Sequence, residues 1–126
     1  MDSKTYPTAT AYCENWLMKK DIMPFFKEAY SDDLNSIAWD FFEKAEDKTI
    51  LKKALRWSER SLEISPNNHY FLDTYANLFY KLGKKSKAIA TEKKAIKILK
   101  ELNDVEKIAE YEQVLQKMKS GVKTWE

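Results

Sequence analysis

Apolar positions recur at helical spacing through most of the chain. Leu72, Tyr75, Ala76 and Phe79 fall at i, i+3, i+4 and i+7, and Ala88, Ile89, Ala95, Ile96 and Leu99 form a second such face. Gly83 stands between the two runs, where a residue without a Cβ enters the left-handed backbone that stops a helix. This pattern predicts two antiparallel helices joined by a tight turn. The layout also occurs one step earlier. Ala38, Phe41, Phe42 and Ala45 mark one face and Leu51, Ala54, Leu55, Ser58 and Leu62 the next, with Asp47 placed to cap the second helix. Pro66 ends that helix, because its ring blocks continuation and biases Ser65 toward extended backbone. The apolar–polar alternation of a half-buried strand runs nowhere over a useful length. The expectation is an all-α chain of five to six helices.

The register between the two pairs is kept. Phe41 and Tyr75 are 34 residues apart, as are Ala45 and Phe79, Ala54 and Ala88, Leu55 and Ile89, Leu62 and Ile96, and Ile64 and Ile98. A helix-turn-helix repeated at this period resembles the tetratricopeptide (TPR) family. That family's pattern falls on Ala76, Phe79, Gly83, Ala88 and Ala95 in the second repeat, with Tyr75 at its leucine position. In the first repeat it falls on Ala54 and Pro66, while Phe42 replaces the small helix-A residue and Thr49 the turn glycine. The resemblance implies a TPR-like α-α superhelix with two helix pairs over residues 34–102. Lys100 stands where a proline would end the second pair, so its last helix is expected to reach about Leu102. Residues 1–33 are then a helical segment packing on the array, carrying Tyr12, Trp16 and Leu17 and broken at Pro24. Residues 103–126 are a capping helix and tail, with Ile108, Tyr111, Leu115 and Met118 on its apolar face. The whole is expected to form one domain.

A narrower likeness rests on "NSIAW" (Asn35 to Trp39), "ALRW" (Ala54 to Trp57) and "LDTYANLFYKLG" (Leu72 to Gly83). These words resemble the helical C-terminal region that follows a thioredoxin-like domain in many exported Bacteroidetes proteins. The resemblance implies a docking or accessory domain of a thiol-disulfide isomerase or oxidoreductase, with a periplasmic or exported location. The chemistry of that family belongs to a Cys-x-x-Cys pair, and this chain has one cysteine, Cys13. The implied function is therefore a non-catalytic protein-interaction or domain-docking module. The alternatives are a free-standing adaptor for a peptide or protein partner, and an enzyme with an unrecognised pocket.

Composition and charge narrow the partner. A net charge of +2 is too small for nucleic-acid binding, which rests on many released counterions. No apolar run approaches the roughly 20 residues of a membrane span, and the start of the chain shows no basic region followed by an apolar one. The partner expected is a protein, a peptide or a neighbouring thioredoxin-like domain.

Candidate chemistry is sparse, and no cofactor or metal site is expected. His69, the only histidine, reads as an exposed loop residue, and Cys13 as a small buried apolar side chain. Asp32 and Asp33 read as caps preceding a helix, and Glu43, Glu46 and Asp47 as a solvated face with a cap. Lys84, Lys85, Lys87, Lys93, Lys94, Lys97 and Lys100, against a single Glu92, read as a solvated face, with acidic-peptide or phosphate-backbone binding as the alternatives. The helix-A side supplies the expected recognition surface: Trp39, Glu43, Tyr70, Asp73, Thr74 and Asn77. Tetratricopeptide proteins that clamp a C-terminal carboxylate use lysine, asparagine and arginine on inner helix-A positions. Trp39, Glu43 and Thr74 stand there instead, which disfavours that mode.

Overall fold

The computed structural model describes residues 5–14 and 27–125. The expectations for Trp16, Leu17 and Pro24 fall outside the described residues. Among the described residues six helices follow in order: α1 (Thr5–Tyr12), α2 (Lys27–Lys44), α3 (Lys48–Ile64), α4 (His69–Lys81), α5 (Lys85–Glu101) and α6 (Val105–Ser120). Among the described residues the chain is all-α, with no strand. It divides into two compact units, Met1–Pro66 and Asn67–Glu126.

In the first unit α2 packs along α3. The buried stripe of α2 is Ser31, Leu34, Ala38, Phe41 and Phe42, and Ala45 continues it just past the helix end, each 1% exposed or less. Leu51, Ala54, Trp57, Ser58 and Ser61 form the facing stripe of α3. Phe41 meets Trp57 edge-on, with ring centroids 5.1 Å apart at 70°, a favoured arrangement for two buried rings. Asp47 caps α3 as expected, its carboxylate accepting from the Thr49 amide at 2.7 Å and the Ile50 amide at 3.4 Å. At the other end Ser65 leaves the helical region (φ −133°, ψ 80°), as the residue before a proline must. Cys13 is buried after α1, and its neighbour Glu14 pairs with Arg56 of α3 at 3.6 Å. One expectation is corrected. Asp32 and Asp33 lie inside α2 and are exposed, so they do not precede a helix and do not cap one.

In the second unit α4 packs on α5, and α5 on α6. Asn68 caps α4 by accepting from the Phe71 amide at 3.2 Å. The end of α4 takes the form the glycine predicts. Gly83 sits at φ +84°, its amide donates to the Tyr80 carbonyl (3.0 Å), and the Lys84 amide donates to the Phe79 carbonyl (2.9 Å). Asn103, at φ +58°, repeats this closure after α5, with bonds to Lys100 and, through the Asp104 amide, to Leu99. Asp104 then caps α6 by accepting from the Lys107 amide at 3.2 Å. Tyr111, Leu115 and Met118 are buried along α6. The residues after α6 fold back on the unit: the Tyr80 hydroxyl donates to the Val122 carbonyl at 2.8 Å, and the Lys81 ammonium lies 5.0 Å over the Trp125 ring.

The pattern of burial recurs at the 34-residue offset. Ala54 and Ala88, Trp57 and Thr91, Ser58 and Glu92, and Ser61 and Ala95 are each buried in their own unit. So are Ala38 and Leu72, Phe42 and Ala76, and Ala45 and Phe79. Phe41 and Tyr75 differ. Phe41 is fully buried against Trp57, whereas Tyr75 is half-buried against Phe79 of its own helix, centroids 4.4 Å apart. The first unit has Ala45 where the second has Phe79, so Phe41 has no ring to meet one turn further along its helix.

Candidate functional site

Helix period puts the polar residues of α4 and α5 onto facing stripes of the second unit. Asp73 and Asn77 are one turn apart on α4. Glu92 lies four residues after Ala88 and three before Ala95, on the stripe that α5 buries. The Asn77 amide donates to the Asp73 carboxylate at 3.1 Å and to the Asp73 carbonyl at 2.8 Å. The Glu92 side chain exposes no surface, and neither of its oxygens meets hydrogen-bond geometry with a partner. Burial pushes its carboxyl up to about 11, and the nearby Asp73 charge adds to the rise. Burial raises the Asp73 carboxyl as well, against the lowering effect of the neighbouring Glu92 and Asn77 side chains. Near neutrality Glu92 therefore holds its proton.

The cluster continues onto α6. Tyr111 is buried, and its hydroxyl is held above the usual phenol range by burial first and then by Asp73 and Glu92. His69 Nδ1 lies 3.0 Å from that hydroxyl, and its ring stacks obliquely on Tyr70 with centroids 4.1 Å apart. Burial pulls the imidazole below its ordinary value, and the Lys107 charge pulls it further. Tyr70 is 49% exposed and is the open end of the cluster. The Lys107 ammonium lies 5.2 Å over its ring, and the Tyr70 hydroxyl raises that lysine.

His69 is thus not an exposed loop residue. It is the first residue of α4, half-buried, with a hydrogen-bond partner 42 positions away. Of the expected recognition residues, Tyr70, Asp73, Thr74 and Asn77 share α4, and Trp39 and Glu43 lie on α2. Thr74 and Asn77 are buried and bond to carbonyls of their own helix. Glu43 is exposed, and Trp39 is half-buried with its ring 4.9 Å from that of Phe42. Tyr70, Glu43 and Trp39 therefore offer side-chain surface, while Thr74 and Asn77 serve the packing.

Two carboxyls sharing a proton can act as an acid–base pair, but only where a reacting atom reaches them. Glu92 is enclosed on every side, so no reacting atom reaches it, and its protonation bears on the packing of α4 against α5. Among the described residues no three His, Cys, Asp or Glu side chains are grouped to hold a metal ion, and no helix is long and apolar enough to cross a membrane. Glu92, His69 and Tyr111 were not among the expected site residues. The spacing of Glu92 from Ala88, Ala95 and Leu99 is the sequence signal that marks it as inward-facing.

Comparison with protein-family models, with characterised proteins and with solved structures gives no match for this chain.

Proposed function

We propose that the chain is a non-catalytic, TPR-like interaction module, and that it serves as the helical docking domain of a thioredoxin-like disulfide isomerase or oxidoreductase. The observation carrying this reading is the recurrence of burial at the 34-residue offset, with Ala54, Trp57, Ser58 and Ser61 of α3 answered by Ala88, Thr91, Glu92 and Ala95 of α5. Two hairpins built to one plan favour a scaffold that presents side chains over a pocket that transforms a substrate. The half-exposed Tyr70, with Lys107 over its ring, is the anchor of the recognition surface. Glu43 and Trp39 supply the corresponding surface on α2.

The test is a titration of the isotopically labelled chain with a purified thioredoxin-like domain, followed by amide chemical shifts. Docking moves the amides around Tyr70, Glu43 and Trp39, and Tyr70→Ala weakens it. A free-standing adaptor responds to peptides and not to the domain. Silence toward both removes the interaction reading.

A further inference from the structure

Helix α5 carries six lysines and two glutamates, and one of those glutamates, Glu92, is buried. Lys93, Lys97 and Lys100 fall at i, i+4 and i+7, a single exposed stripe. Beside them a groove of about 340 Å³ opens between α5 and α6, lined by these three lysines, Ile96, Leu115 and Glu112. Its floor is apolar: Ile96 is 4% exposed and Leu115 is 6% exposed. Among the described residues no carboxylate lies within ion-pair distance of the three lysines. Like charges one turn apart repel and destabilise a helix. The chain has 20 acidic residues against 22 basic ones, yet the groove lining sets three lysines against the single carboxylate of Glu112.

We propose that the α5–α6 groove is a binding site for an acidic peptide segment that carries one or two apolar anchor residues. The anchors fill the Ile96–Leu115 floor, and the flanking carboxylates pair with Lys93, Lys97 and Lys100. The volume stands at the small end of ligand pockets and suits a side chain or two, not a cofactor. The groove lining includes no aromatic ring on which a nucleic-acid base would stack. Charge complementarity and an apolar floor together favour a peptide over a phosphate backbone, which uses charge alone. The groove lining includes none of Tyr70, Glu43 and Trp39, and the proposal stands or falls without the docking reading above.

The test uses the full chain and a fluorescein-labelled, glutamate-rich peptide with a central Leu-Leu pair, read by anisotropy and by methyl shifts of Ile96 and Leu115. Binding that moves both methyls, and that weakens about tenfold in the double variant Lys93→Glu/Lys97→Glu, supports the site. The control Lys84→Glu/Lys85→Glu, which alters the net charge equally outside the groove, leaves it unchanged. If the double variant loses its helical circular dichroism, Lys97→Glu alone serves. The proposal is overturned if the peptide does not bind, or if a Ser-Ser version binds as well as the Leu-Leu one. It is also overturned if both double variants lose equally, or if poly-uridylate or phosphatidylserine vesicles are the ligands that respond to the groove lysines.

Discussion

The Nδ1 atom of His69, at the start of α4, lies 3.0 Å from the hydroxyl oxygen of Tyr111 in the middle of α6. This bond joins the first and last helices of the second unit. Tyr111→Phe removes it while keeping the ring, and is expected to lower the unfolding free energy by about 1 kcal/mol. Urea titration with both far-ultraviolet and fluorescence readouts measures the loss. An unchanged midpoint would show the contact to be energetically idle.

The pH dependence of stability carries the signature of Glu92. Its folded value, about 11, stands above the ordinary 4.5, so folding retains a proton that the unfolded chain releases. The contribution is fully present below pH 4.5 and is lost as pH rises toward 11. Tyr111 and Asp73 are raised too and act in the same sense. His69 acts in the opposite sense: its lowered value gives stability present above 6.5 and lost as pH falls through the folded value. Glu92→Gln mimics the protonated acid and cannot ionise. It is expected to stabilise the protein at pH 7 by about 2 kcal/mol and to flatten the decline above that pH. Parallel stability curves for the two proteins would show that Glu92 does not hold its proton.

The helix-ending residues separate backbone strain from contact. A Cβ added at Gly83 meets nothing within 4 Å, so Gly83→Ala tests the φ of +84° alone. The expected loss is about 1 kcal/mol. Asn103 holds φ +58° with a side chain already present, and Asn103→Gly is expected to change stability by only a few tenths of a kcal/mol, in the stabilising direction. Thermal melts of the two variants should therefore shift in opposite directions.

At the start of α3 the Asp47 carboxylate serves two amides. Asp47→Ala is expected to cost about 1 kcal/mol, and Asp47→Asn much less, because the amide oxygen still accepts. Amide exchange at Thr49 and Ile50 locates the effect. Uniform exchange across the unit would place the cause elsewhere.

The helical class, the Asp47 cap, the Gly83 turn and the apolar face of α6 could all be read from the chain, because each depends on residues within a few positions of one another. The start of α2 could not. Its inward stripe opens with Ser31, a polar residue at 1% exposure, and Asp32 and Asp33 next to it imitate a helix start. His69 is hidden from the sequence for a different reason: its partner is Tyr111, and no local signal links positions so far apart. Glu92 is intermediate. Its position on the Ala88–Leu99 stripe is visible, but a carboxylate amid lysines is ordinarily a surface residue, and its neighbours Asp73 and Tyr111 lie on other helices. The offset sharpens the point. Trp39 and Ser58 occupy the positions that Asp73 and Glu92 occupy 34 residues later, so one helix-pair plan is completed by an aromatic and a small residue in one unit and by two acids in the other.

Cys13 gives the molecule a clock. It is the chain's one thiol, it exposes no surface, and burial pushes it up to about 12, so a maleimide or disulfide reagent finds almost no thiolate to attack while the first unit stays shut. Each transient opening of that unit restores an ordinary cysteine. The rate at which native protein acquires the label thus counts those openings, residue by single residue, with no engineered probe and no signal from the second unit to subtract.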